Sequence, residues 1–188
     1  TWMSLDVSPD GQTIVFDHLG DLFSVPITGG KATPLTKGMA VDAQPRFSPD
    51  GKKIVFVSDK SGGDNVWTLS LDLKDTTQIT MGNNNLYASP DWSPDGNYMV
   101  FSRSPGLGGV AKLFVSHIEG KAPMPLGRPP LPQKTIGAAW SPDGQSIYFT
   151  EADAGQQLHL YRVNRNGGAP HEVVIRSWDY GAPVGRLV

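Results

Sequence analysis

Residues with any capacity for chemistry are few and scattered along this chain. The four histidines, His18, His117, His159 and His171, fall in different segments, and no two have the spacing of a metal-binding pair. Only His18, beside Asp17 and Asp21, has the neighbours for a metal or acid–base cluster, and a lone histidine of this kind is more often simply exposed. The run His171-Glu172-Val173-Val174-Ile175 begins like a helical zinc-protease motif. Isoleucine stands where the second histidine must be, and the run reads as a strand, so the one-face helical spacing is lost. Gly106-Leu107-Gly108-Gly109 lacks the lysine and hydroxyl residue of a phosphate loop, and no helix follows it. No Gly-x-Ser-x-Gly elbow occurs. With no cysteine there is no thiolate metal site and no disulfide scaffold. The expectation is a chain with no catalytic residue, no metal and no cofactor.

What organises the sequence is a turn. Ser-Pro-Asp-Gly occurs at 8–11, 48–51, 93–96 and 141–144, copies 40, 45 and 48 residues apart. Pro9, Pro49, Pro94 and Pro142 preset φ for the second position of a type I turn; Asp10, Asp50, Asp95 and Asp143 suit the third. Gly11, Gly51, Gly96 and Gly144 accept the left-handed conformation that closes such a turn into a hairpin. An apolar residue precedes each copy (Val7, Phe47, Trp92, Trp140), and an apolar triplet ending at Phe16, Phe56, Phe101 or Phe149 follows it. The triplets are apolar at consecutive positions, so both faces of those strands should be buried. Repeats of this length made of short strands predict an all-β propeller, one four-stranded blade per repeat.

The blades are expected at about 1–36, 37–80, 81–126 and 127–175, with strands A to D running outward from the axis. The tail, 176–188, lays Val188 where Val7 and its counterparts fall, 48 residues after Trp140. It is expected to open a further blade, so 1–188 forms a single propeller domain or part of a larger one. The rival is a true four-bladed ring. An aromatic recurs in every C strand (Phe23, Trp67, Phe114, Tyr161), where packing between blades is the expected role. In a meander the A–B and C–D turns share one rim, and all variation in loop length falls on the other. Loops on a rigid scaffold are where function usually resides. The binding candidates on that rim are Asp17, His18, Asp21, Asp59, Asp64, Asn84, Tyr87, Arg103 and Arg128, accompanied there by Asp42, Asn83, Asn85, Glu151 and Asp153. The competing reading for each is a solvated polar surface.

Sixteen basic against 18 acidic residues, a formal charge of −2, give no basic field for nucleic acid or a membrane surface. No apolar run approaches the roughly 20 residues of a membrane span.

The repeats, clearest at Pro45-Arg46-Phe47-Ser48-Pro49-Asp50-Gly51-Lys52-Lys53-Ile54-Val55-Phe56-Val57-Ser58-Asp59-Lys60, resemble the TolB-type propeller repeat. Such propellers occur in the TolB component of the Tol-Pal system, prolyl-oligopeptidase-like peptidases, the tricorn protease and a family of metal-dependent amidohydrolases. Residues 1–11, the run Thr13-Ile14-Val15-Phe16-Asp17 and the segment Gly62-Gly63-Asp64-Asn65 resemble the propeller region preceding the amidohydrolase barrel. That barrel carries the family's metal-binding His-x-His box, which this sequence lacks, so no catalytic residue carries over. The resemblance implies a periplasmic or secreted, non-catalytic module of a larger hydrolase. Its partner would be a covalently linked catalytic domain or another protein, with self-association possible through open propeller ends. The alternative is a stand-alone TolB-like scaffold that binds a protein directly. An enzyme built in the channel would require buried carboxylates on the A strands, where only Asp6 and Asp91 are expected.

Overall fold

A computed structural model describes residues 3–106, 109–119, 122–126, 135–152 and 157–176. Arg128, Asp153 and the tail beyond 176 lie outside them. The described residues form four antiparallel four-stranded sheets, each a meander of consecutive strands. The first comprises β1 (Leu5–Val7), β2 (Thr13–His18), β3 (Asp21–Pro26) and β4 (Thr33–Pro34). The second comprises β5 (Asp42–Phe47), β6 (Lys53–Ser58), β7 (Asn65–Ser70) and β8 (Thr76–Gln78). The third is β9 (Asn85–Trp92), β10 (Tyr98–Pro105), β11 (Lys112–His117) and β12 (Met124–Leu126). The fourth is β13 (Thr135–Trp140), β14 (Ser146–Ala152), β15 (Leu158–Asn164) and β16 (His171–Arg176). The sheets stack in sequence order, first on second, second on third, third on fourth. No helix among the described residues is long and apolar enough to cross a membrane.

The four tetrapeptides fold alike. In each, the serine hydroxyl donates to the aspartate Oδ1 at 2.5–2.6 Å. The same Oδ1 accepts the amide two residues on (Gln12, Lys52, Asn97, Gln145) at 2.9–3.0 Å. The serine oxygen in turn accepts the amide that opens the next strand, at 2.9 Å in all four. Each glycine has φ between 67° and 71°. The serine hydroxyl, and after it the backbone amide, holds Asp10, Asp50 and Asp143 below the ordinary carboxylate range; in Asp95 the hydroxyl is again the leading cause. Successive turns lie side by side: a Cβ added on Gly51 would lie 3.5 Å from Pro9 Cδ, and one on Gly144 3.5 Å from Pro94 Cδ. One rim is thus a row of adjacent, self-bonded turns.

The β7–β8 turn repeats this wiring without the motif. Ser70 Oγ donates to Asp72 Oδ1 at 2.7 Å, Asp72 Oδ1 accepts the Lys74 amide at 3.2 Å, and Leu73 sits where glycine belongs, at φ 59°. A side chain in the left-handed region strains the backbone. Leu73 is also 50% exposed and gains little from burial. Leu73→Gly is expected to stabilise the chain by about 0.5–1 kcal/mol, less the unfolded-state entropy glycine adds. A melting temperature unchanged or lowered would contradict this.

Successive side chains of the second strands point to opposite neighbours, which is why they are apolar at consecutive positions. Ile54 packs with Val15 of the first sheet, and Phe56 with Leu22; Val55 and Val57 join Met99 and Phe101 of the third. Val100 faces Ile147 and Phe149 of the fourth. In three of the four sheets the phenylalanine of the second strand stacks on the aromatic of the third strand, with ring centroids 5.7 Å apart for Phe16–Phe23, 6.3 Å for Phe101–Phe114 and 5.7 Å for Phe149–Tyr161.

The second strands run past their apolar triplets toward the variable rim. β2 reaches His18, β10 reaches Pro105 and β14 reaches Ala152. The first connection shrinks to Leu19-Gly20, both at positive φ (52° and 90°), as a two-residue hairpin requires. The first strands of the later sheets each carry a bulge at a residue of positive φ: Gln44 (58°), Ser89 (52°) and Gly137 (66°). The Ser89 amide donates to Gln44 Oε1 of the preceding sheet at 2.6 Å, so one bulge helps hold the next.

Candidate functional site

Strand register places one polar level just inside the variable rim. His18 stands opposite Asp21; Asp42, Ser58 and Asn65 align in the second sheet; Tyr87, Arg103 and Lys112 in the third; Glu151 and His159 in the fourth. The second residue after each second-strand phenylalanine (His18, Ser58, Arg103, Glu151) marks this level in the sequence.

Five of the rim candidates prove to be strand residues. Asp17 is buried, and its carboxylate accepts the Ser4 amide at 2.9 Å and the Gln44 amide at 2.8 Å, tying the first sheet to the second. His18 is exposed and lies edge-on to Phe23, with centroids 6.4 Å apart. Tyr87 is not on the rim surface: it is 5% exposed in the core between the second and third sheets, edge-on to Phe101 at 5.5 Å. Its position before the third Ser-Pro-Asp-Gly copy looks like loop because the strand carries a bulge at Ser89. Arg103 lies in β10, its guanidinium 3.8 Å from the centre of the Phe114 ring. Asp21 begins β3 and has a buried, unpartnered Oδ1. The expected first-strand carboxylates are Asp6 and Asp91; β5 adds Asp42 as a third. Asp6 Oδ2 accepts the Phe47 amide at 2.9 Å, a fastening of sheet to sheet.

Asp59, Asp64 and Asn84 do come together. With Gly62, Gly63, Asn83, Asn85, Leu86 and Gly106 they line a cavity of about 680 Å³ between the rim loops of the second and third sheets. Burial, and secondarily the charge of Asp59, raises the Asp64 carboxyl above its ordinary range. Asn65, fully buried, builds this cleft from beneath. Its Nδ2 donates to Gly82 O at 2.9 Å and to Gly63 O and Ser61 Oγ at 3.1 Å, while its Oδ1 accepts from Thr80 Oγ1 at 3.1 Å. A Cβ on Gly63 would meet the Asn83 Cα at 2.7 Å, so only glycine lets the two loops approach this closely. The Gly62-Gly63-Asp64-Asn65 segment is therefore a cleft-forming unit: glycine for clearance, asparagine for anchorage, aspartate for charge.

A second polar group lies in the fourth sheet, where Glu151, expected on the rim surface, is buried within β14. Glu151, 3% exposed, is pushed up by burial, against the opposing pull of His159. His159 Nδ1 lies 2.7 Å from Glu172 Oε1. Among the described residues no group of three or more histidines or carboxylates is arranged to hold a metal ion.

The chain matches the Tricorn protease N-terminal beta propeller domain over residues 5–138. It is 28% identical over 148 residues to the Tol-Pal system protein TolB of Francisella tularensis subsp. mediasiatica, covering 76% of this chain and 33% of that protein. TolB from Acinetobacter baumannii superposes with a TM-score of 0.75 at 18% identity, over 95% of this chain and 45% of that one. Puromycin hydrolase does so with a TM-score of 0.71 at 16% identity, over 96% of this chain and 30% of that one. The chain spans 33% of the length of each of two curated relatives. The stacked sheets are those of a TolB-like propeller, and the family match takes in the first three sheets entire: this protein belongs to the Tricorn protease N-terminal β-propeller family.

Proposed function

We propose that this chain is the non-catalytic propeller module of a larger exported hydrolase, where it gates or positions what reaches a catalytic domain of the same protein. The observation that carries this reading is the family match over residues 5–138, to the propeller domain of a protease. The two rims support it: one is locked by four self-bonded turns, and the other carries the cleft of Asp59, Asp64 and Asn84. Residues 1–11, 13–17 and 62–65 favour an amidohydrolase-like parent, periplasmic or secreted. No cofactor belongs to this module. Its partner is the linked catalytic domain, or a second copy meeting the face where Leu5 and Val7 are 54% and 37% exposed. The identity with Francisella TolB favours a second reading, a scaffold that binds a protein partner directly.

The test is Gly63→Ala in the parent protein, which forces the cleft loops apart. Gating predicts a several-fold change in the ratio of rates on bulky and small substrates, with the small-substrate rate preserved. An unchanged ratio, or hydrolysis by the isolated chain, would overturn the proposal.

A further inference from the structure

The groove between the first and second sheets is lined by a carboxylate with one oxygen that no described residue satisfies. Asp42, at the start of β5, is 6% exposed, and its Oδ1 is buried without a hydrogen-bond partner. Its own amide is committed, donating to Gly20 O at 2.8 Å. Next to Gly20 in sequence, Asp21 has a second buried and unpartnered Oδ1. Burying a carboxylate oxygen without a donor costs stability, and such a group calls for an explanation in terms of what it binds.

Asp42 lines a cavity of about 710 Å³ together with Asp59, Lys60, Leu35, Phe56 and Leu69. Lys37 and Lys60 also line the cavity, but neither pairs with the Asp42 carboxylate. The Lys60 ammonium lies 4.5 Å from the centre of the Trp67 ring, and Asp59 Oδ1 is occupied by the Val41 amide at 2.8 Å. The site therefore combines a carboxylate with the apolar side chains of Leu35, Phe56 and Leu69 and with Met39, fully exposed and unbranched. A ligand that fits has a cationic head on a long apolar stem, the anatomy of lysine and arginine side chains. A divalent ion is a poor match, since the described residues offer no group of three carboxylates or histidines to hold one.

We propose that this groove takes a lysine or arginine side chain from an extended peptide segment of a partner, with Asp42 receiving the charged head and the apolar side chains receiving the stem. This does not depend on which reaction the parent protein performs.

The test is an NMR titration of the chain with acetyl-Gly-Lys-Gly-amide, its arginine analogue, and a norleucine analogue that keeps the stem and loses the charge. Both basic peptides are expected to shift the amides of Gly38, Ala40 and Gly62, which line the groove, and the side-chain carboxyl carbon of Asp42. Asp42→Asn, nearly isosteric, is expected to weaken binding by about tenfold. The Asp42 carboxyl signal reads the same contact in the unaltered chain, so the result stands even if the variant misfolds. Equal binding of the norleucine peptide, an unmoved Asp42 carboxyl, or shifts confined to the Asp59–Asp64–Asn84 cleft would overturn the proposal.

Discussion

Replacing Asp17 by alanine is expected to cost about 3–5 kcal/mol, more than a surface aspartate beside an exposed histidine suggests. The carboxylate is 8% exposed, and each oxygen accepts a backbone amide, Ser4 N at 2.9 Å and Gln44 N at 2.8 Å. Hydrogen bonds to charged groups contribute about 1.5–3 kcal/mol each, and truncation strands both donors. The Gln44 amide is a vulnerable one to lose, because Gln44 sits at φ 58° and its side chain accepts the Ser89 amide of the next sheet at 2.6 Å. Asp17→Asn keeps one acceptor oxygen and is expected to lose about half as much. Denaturant unfolding gives the magnitudes, and hydrogen exchange at Gln44 and Ser89 shows whether the loosening passes from the first sheet to the third. A loss below about 1 kcal/mol for Asp17→Ala would mean that the two amides find other acceptors.

The fold was legible because each of its physical demands falls on residues close together in sequence. The turn wiring needs only Ser, Pro, Asp and Gly in a row, and burial on both faces needs only an apolar run such as Ile54-Val55-Phe56-Val57, all within β6. The bulges were not legible. Glutamine and serine at Gln44 and Ser89 give no sign of a left-handed backbone, and their stabilising bonds come from Asp17 and Gln44, in the preceding sheets. Tyr87 was misplaced for this reason, since a strand interrupted at Ser89 hides its own upper half. The candidate site divides the same way. Gly62-Gly63-Asp64-Asn65 stands out in the sequence because clearance demands glycine locally. The unsatisfied oxygen of Asp42 has no counterpart in the sequence, because being unpartnered is a property of everything around a residue.

Phe101→Ala is expected to cost about 3–5 kcal/mol and to lower the melting temperature by on the order of 10 °C, whereas Phe16→Ala is expected to cost about 1–2 kcal/mol. The two residues share one position in the repeat and one intra-sheet partner type: Phe16 stacks on Phe23 and Phe101 on Phe114. They differ in what lies beyond the sheet. Phe101 is 0% exposed and packs in one cluster with Val55, Val57 and Val66 of the second sheet, with Tyr87 edge-on at 5.5 Å. Phe16 is only half-buried, and no cluster of buried residues includes it. If stacking between sheets supplies most of the stability, the two losses separate by a factor of two or more. Equal losses would place the stability within each meander. In that case the sheets would behave as independent units, and the coupling from Asp17 through Gln44 to Ser89 would have little to transmit.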